Sequence, residues 1–167
     1  MSKNKEVKED SFQGELVSCS IQVQIPIVNL NQNNPIPTYA NPSDAGVDGR
    51  ANIKERIVVA PHETKLIPLG IKCAIPEGYE IQVRPRSGLA LKHGIAILNS
   101  PGTIDSGYRN ELGAILINHS KKAFAIEPGD RVCQLVLNRV DYIQWVECDN
   151  LDETVRGLTG FGESGVK

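Results

Sequence analysis

No two of the four cysteines, Cys19, Cys73, Cys133 and Cys148, stand at CxxC spacing, and the three histidines, His62, His93 and His119, form no HExxH pair. Neither a zinc site nor a redox motif is indicated, and the cysteines read as reduced and mostly structural. The chain also lacks a run of about 18 apolar residues, the length a membrane helix needs. Its opening, Met1-Ser2-Lys3-Asn4-Lys5, leads into mixed charge rather than the apolar core of a signal peptide. A cytoplasmic protein with no membrane partner is the expectation. Charge of one sign is lacking too: Lys plus Arg number 18 against 20 Asp plus Glu, a formal balance of −2. That leaves no global field to attract DNA or RNA, so no nucleic-acid partner is expected and any polyanion site must be local. Aromatic residues are only 5% beside 40% hydrophobic and 23% charged residues, the profile of a soluble globular protein. At 167 residues the chain suits one domain with one core.

Helical periodicity is nearly missing as well. Ser87 to Lys92 is the best candidate, for one or two turns. What is present is a series of short β-rich runs separated by Pro, Gly and Asn: Ile21 to Val28, Arg56 to Val59, Lys65 to Leu69, Tyr79 to Arg84, Ala96 to Leu98, Ala114 to Ile117 and Val132 to Leu137. The predicted class is mainly β, a sandwich or jelly roll rather than a βαβ sheet. Residues 1–19 read as a disordered or loosely attached arm, because alternating charge over residues 1–14 leaves no face to bury. Residues 20–150 form the β domain. Residues 151–167 form a tail in which Gly157, Gly160, Gly162 and Gly165 make a poor strand. The tail reads either as a lid or as a frayed end.

Chemistry concentrates in a few segments. Ser100-Pro101-Gly102-Thr103-Ile104-Asp105-Ser106-Gly107-Tyr108-Arg109-Asn110-Glu111 puts a carboxylate and a ring on a Gly-rich turn between two apolar strands, with Asp105 and Tyr108 at the rim of a hairpin. Such a turn can hold a small planar ligand, although Asp-Ser-Gly is also ordinary hairpin chemistry. Arg84-Pro85-Arg86-Ser87-Gly88-Leu89 sets two guanidinium groups and a hydroxyl at the start of the possible helix, where an anion such as phosphate is favoured; a solvated pair of arginines is the other reading. In Gly129-Asp130-Arg131-Val132-Cys133-Gln134-Leu135 a turn and a cation precede a polar Gln134 in an apolar strand, and a buried Gln needs partners. Asp44-Ala45-Gly46-Val47-Asp48 adds a carboxylate suited to hydrated Mg²⁺ beside a triphosphate. Arg156 and Phe161 in the tail offer a further cation and a ring able to cover a base. Together these suit a nucleoside triphosphate better than a protein ligand.

With those residues in view, the chain resembles the trimeric dUTP diphosphatases, or dUTPases, which carry five short motifs in fixed order. Asp44 to Ala51 is similar to the first, Arg84 to Ile95 to the second, Leu98 to Glu111 to the third, Gly129 to Leu135 to the fourth and Arg156 to Gly165 to the fifth. The resemblance implies a jelly-roll-like β fold and a homotrimer with sites at subunit interfaces. It also implies Mg²⁺-assisted hydrolysis of dUTP to dUMP and pyrophosphate, which limits uracil entering DNA and supplies dUMP for dTMP synthesis. On the same ground Asp105 is the base that orients and deprotonates water for attack on the α-phosphorus, since an ionised carboxylate can accept that proton. Tyr108 lies against deoxyribose, leaving little room for a 2′-hydroxyl. Asn99, with backbone groups around Gly102 and Ile104, reads uracil. Arg86, Ser87, Gly88 and Gln134 contact phosphates, and Asp48 holds a metal-bound water, the Mg²⁺ itself resting mainly on the phosphates. Arg156, Phe161, Gly162 and Ser164 belong to the closing tail, which grips the γ-phosphate and stacks on the base.

Some positions depart from the family pattern. Gly49 stands where Leu is usual, with an expected cost in packing and backbone entropy. Thr159 replaces a Gly in the tail, where β-branching stiffens the chain, and Glu163 adds negative charge near a polyphosphate. Asn110 and Gly113 also depart. Two further readings share the fold. A dCTP deaminase needs a glutamate on the strand after the Ile-Asp turn, where this chain has Ile115, which cannot shuttle protons. A catalytically silent nucleotide-binding regulator would have no need of Asp105 and the tail. A β-sandwich module with no nucleotide role would require every motif to be coincidence.

The Gly-rich tail has little capacity to hold a core together. Deleting residues from Arg156 onward is therefore expected to leave the melting temperature nearly unchanged while removing most dUTP turnover. A truncated chain that turns over dUTP at the full-length rate would identify the tail as a frayed end.

Overall fold

The computed structural model describes residues 22–155 and 157. The expected arm at residues 1–19 and most of the expected tail, including Arg156, lie outside the described residues. Strands dominate: β1 (Ile27–Asn29), β2 (Val47–Arg50), β3 (Ile57–Val59), β4 (Thr64–Pro68), β5 (Ile71–Cys73) and β6 (Tyr79–Arg84) precede the one described helix, α1 (Ser87–His93). Then come β7 (Ile95–Ile97), β8 (Gly102–Ile104), β9 (Gly113–Asn118), β10 (Phe124–Ile126) and β11 (Arg131–Arg139).

Among the described residues every strand pairing is antiparallel, and the strands group as β2-β11-β6-β8, β4-β9-β7, β1-β5 and β10-β3. The larger sheets share one core, as in a β-sandwich, with no closed barrel. Alternation decides which face is buried. In β9, Ala114, Leu116 and Asn118 are buried while Gly113, Ile115 and Ile117 are half-buried; in β6, Ile81 and Val83 point inward. These residues meet Val59, Ile67, Ile95, Ile126 and Leu135 in a single cluster rich in branched aliphatic side chains.

Among the described residues one polar side chain is buried with them. Asn118 is fully buried, and its amide nitrogen donates to the carbonyls of Val59 (3.0 Å) and Lys122 (2.8 Å). Its Oδ1 accepts from the backbone N–H (2.9 Å) and hydroxyl (2.8 Å) of Ser120. Two donors and two acceptor sites are thus all used, which is the condition for burying an amide without a desolvation penalty. The amide thereby ties the end of β9 to β3 and to the turn before β10.

Cys73 and Cys133 pack in the core, while Cys148 is exposed. Burial pushes the Cys133 thiol up to about 12, against which a hydrogen bond from the Gly49 backbone works in the opposite direction. Burial likewise raises Cys73. Both thiols are protonated at neutral pH and act as small apolar fillers.

Cys133 also accounts for Gly49. A Cβ placed on Gly49 would lie 2.6 Å from the Cys133 sulfur and 3.2 Å from Leu69 Cδ1. The two stand opposite each other in the β2–β11 register. The expected packing cost at Gly49 is therefore corrected: the volume of the usual Leu is already filled from across the sheet. Gly113 is different, since a Cβ there would lie 2.8 Å from Leu66 Cδ1, the tip of an exposed side chain on the neighbouring strand that can shift aside, and nothing in the structure explains the glycine.

The predicted strands after residue 50 are present within one or two residues, as is the helix. Of the predicted strand Ile21 to Val28, Ile21 lies outside the described residues and residues 22–26 form no strand, so the strand is Ile27–Asn29; Pro26 has no N–H to give a ladder. The strands β2, β5, β8 and β10 were not foreseen.

Candidate active site

The third motif does more than turn. β7 and β9 pair as the predicted hairpin, with Ala96 opposite Ile117 and Ile97 opposite Leu116. Between them the chain crosses to the other sheet, where β8 adds to the edge of β6, Gly102 facing Val83 and Ile104 facing Ile81. Gly102 and Ile104 are buried, and Asp105 follows directly at the exposed end of the strand. A cleft of about 680 Å³ opens here, and Asn99, Gly102, Ile104, Asp105 and Tyr108 all line it. All five residues predicted from the third motif thus share one cavity. The Asn99 side chain packs over Gly102, where an added Cβ would lie 3.1 Å from Asn99 Nδ2. Tyr108 is fixed at the rim by its hydroxyl, which donates to the Glu111 carbonyl at 3.0 Å, and by its backbone N–H, which donates to the Asp105 carbonyl at 3.0 Å.

A second group gathers on the β2-β11-β6 sheet. Gln134 stands opposite both Asp48 on β2 and Arg84 on β6, so three of the five motifs meet at one register position. Asp48 Oδ1 accepts from Arg86 Nε at 2.8 Å and its Oδ2 from Arg131 Nη1 at 3.1 Å. Arg86 Nη1 also donates to the Arg131 carbonyl at 3.2 Å. Arg131 gets there through a bulge: the β2–β11 register shifts between Arg131 and Cys133, so Arg131 stays exposed while Val132 and Cys133 are both buried. Ser87 and Gly88 are exposed in the first turn of α1, where backbone N–H groups have no intrahelical partner. One carboxylate among several guanidinium groups leaves the patch positive, a setting for an anion within a chain of slight negative charge.

The two groups do not share a cavity. None of Asp48, Arg86, Ser87, Gly88 and Gln134 lines the cleft that holds Asp105. Arg156, Phe161, Gly162 and Ser164 lie outside the described residues.

The dUTPase family profile matches residues 32–165. The chain belongs to the dUTPase family. It is 52% identical over 144 residues to the deoxyuridine 5'-triphosphate nucleotidohydrolase of Fusobacterium nucleatum, covering 86% of this chain and 98% of that protein. It is 55% identical over 137 residues to the enzyme of the same name from Chlamydia pneumoniae, covering 81% of this chain and 94% of that protein. The dUTPase of Staphylococcus bacteriophage 80alpha, solved with dUPNHPP, superposes with a TM-score of 0.77 at 26% identity, covering 87% of this chain and 100% of that one.

Three further side chains belong to the site in this dUTPase fold. Arg131 closes the pair of ion pairs on Asp48, and its signal was the cation of the fourth motif. Lys72 and Glu111 line the cleft beside Asp105. Lys72 sits in β5, a strand too short to be read as one, and Glu111 had counted only as the end of a motif. For a metal, the described residues offer no cluster of three or more His, Cys, Asp or Glu. Asp48, with each oxygen already accepting one hydrogen bond, keeps lone pairs for a water.

Asp48 is mostly shielded from solvent, at 21% exposure. Its replacement by Ala leaves two guanidinium groups facing each other without a counter-charge. Asp48→Ala is expected to lower folding stability by about 1–3 kcal/mol, between the values for exposed and buried ion pairs. Denaturant unfolding measures this, and a stability equal to wild type at low salt would show that the arginines are simply solvated.

Proposed function

We propose that this chain hydrolyses dUTP to dUMP and pyrophosphate, with Asp105 as the base. The observation that carries the reading is the shared cleft, where a carboxylate, an amide and a ring converge in a member of the dUTPase family. Asp105 accepts a proton from a water as its oxygen attacks the α-phosphorus; the bond from that phosphorus to the bridging oxygen breaks, and pyrophosphate leaves. Asn99 and the backbone around Gly102 and Ile104 read uracil in a hairpin too tight for a thymine methyl, and Tyr108 lies against deoxyribose. Arg86, Ser87, Gly88 and Gln134 hold the phosphate chain. Arg156, Phe161, Gly162 and Ser164 close over the substrate.

Mg²⁺ fits this donor set as an ion resting mainly on the phosphates, with Asp48 holding one of its waters, and when bound it would offset the phosphate charge. That both Asp48 oxygens already accept from Arg86 and Arg131 suits a contact through water better than a direct one. No helix among the described residues is long and apolar enough to cross a membrane, and we place the enzyme in the cytoplasm.

The active form is a homotrimer. Support comes from the separation of the phosphate-facing group from the Asp105 cleft within one chain, which a second copy can bridge. It comes also from unpartnered apolar surface. Leu66 and Leu98 are exposed on the outer face of the β4-β9-β7 sheet beside Ile115, and residues 141–155 extend from β11 with Tyr142, Ile143, Trp145, Val146 and Leu151 bare. So much exposed apolar area marks an association surface.

Three measurements check this. Incubated with Mg²⁺ and each deoxynucleoside triphosphate in turn, the protein is expected to release pyrophosphate from dUTP alone; release of ammonia from dCTP would make it a deaminase, and no product from any would make it a silent binder. Asp105→Asn keeps dUTP binding and loses at least about 100-fold in kcat, because an amide cannot take the proton. Light scattering is expected to find three chains per particle, and a fully active monomer would overturn the interface site.

A further inference from the structure

The turn that bears Asp105 and Tyr108 is braced internally and anchored to the body at its two ends. Tyr108 N–H bonds to the Asp105 carbonyl, and Arg109 Nη1 donates to the carbonyls of Ser106 (2.6 Å) and Tyr108 (2.8 Å). At the N-terminal end the anchor is the β8–β6 pairing. At the C-terminal end it is Glu111 and Leu112. Leu112 exchanges backbone bonds with Ile71 and Leu69, at 2.9 Å each. Glu111 reaches further, since its Oε1 accepts from the Gly70 backbone N–H at 2.8 Å and from Asn52 Nδ2 at 3.0 Å. Asn52 Oδ1 in turn accepts from Asn31 Nδ2 at 2.9 Å.

The surroundings leave this carboxylate little freedom. Gly70 has φ +72, and a Cβ on it would lie 2.9 Å from Asn52 Cγ, so backbone and amide are in contact before Glu111 arrives. Gly70 also accepts from the Leu30 N–H at 2.8 Å. Glu111 therefore plugs into a corner assembled from the Asn31 loop, the segment after β2 and the β4–β5 turn. The Tyr108 hydroxyl bonds to the backbone carbonyl of this same residue. Wherever the Glu111 side chain pins its own backbone, the tyrosine ring is aimed accordingly.

We propose that Glu111 is a positioning residue for the hydrolysis: by gripping Gly70 and Asn52 it fixes the angle of the Asp105–Tyr108 turn over the cleft, and so sets both water orientation and the rejection of a 2′-hydroxyl. The inference rests on the function proposed above. Its requirement is an acceptor at Oε1, since both partners are donors, and charge strengthens the bonds without being the source of the geometry.

Kinetics with dUTP and UTP on the full-length protein test it. Glu111→Ala is expected to lower kcat for dUTP by about tenfold or more, to raise KM less than it lowers kcat, and to reduce the dUTP-to-UTP ratio of kcat/KM by about tenfold. Glu111→Gln, with an amide oxygen in the same place, recovers most of both. If Glu111→Ala does not fold, Asn52→Ala removes one of the two donors and is expected to lower the same ratio by a smaller factor. An unchanged ratio in the variant that folds, with activity on both nucleotides falling in step, would reduce Glu111 to a structural support and overturn the proposal. Glutamine failing as badly as alanine would also overturn it. Wild-type protein inactive on dUTP would instead remove the proposed function on which this rests, a result visible before any variant is made.

Discussion

β11 is hydrogen-bonded on both sides, to β2 along one edge and to β6 along the other. Its register therefore decides more than any other pairing. With Gln134 opposite Asp48 and Arg84, the residues on either side of it, Cys133 and Leu135, face the core. A slip of β11 by one residue would send Gln134 inward and Cys133 and Leu135 outward, an exchange that the core does not tolerate. The same register brings the first, second and fourth motifs side by side although they lie far apart in the chain. The bulge before Cys133 adds the last piece by turning Arg131 outward onto Asp48.

The site is thus built on two kinds of support. Its cationic half stands on a sheet whose strands are fixed along their length, and Asp48 draws Arg86 and Arg131 together, one on each carboxylate oxygen. Its other half stands on the connection between β7 and β9, which leaves one sheet, borrows an edge of the other and returns. That crossing puts Asp105 one residue beyond a buried isoleucine, so a solvent-facing group has a rigid base. Geometry needed within fractions of an ångström is better supplied in this way than by a free loop.

The legibility of the sequence followed period and length. β6 and β9, six residues each with alternating burial, were readable directly. β5, β8 and β10 have three residues each and show no period; β3 and β7 are as short and were readable only as parts of longer apolar runs, while β2 reads Val-Asp-Gly-Arg, with one apolar side chain. These short pieces become strands because longer neighbours offer them partners, which a local reading cannot see. Asn99, Asp105 and Tyr108 were readable as a group because they lie within ten residues of one another. The grip of Glu111 on Gly70 and the convergence of Arg131 with Arg86 depend on chain segments that meet only after folding.

The contact between Gly49 and Cys133 has a consequence for how such a sequence can change. With the sulfur already occupying the space, a leucine at position 49 is a collision; with a leucine there first, the sulfur would be. Neither residue is unfavourable in itself, but the two positions cannot both carry a large side chain. The two positions form an epistatic pair, so the route between one packing solution and the other runs through an intermediate with a smaller residue on both sides and a void between the sheets. A larger residue at position 49 therefore has to be matched by a smaller one at position 133, although neither position touches the cleft.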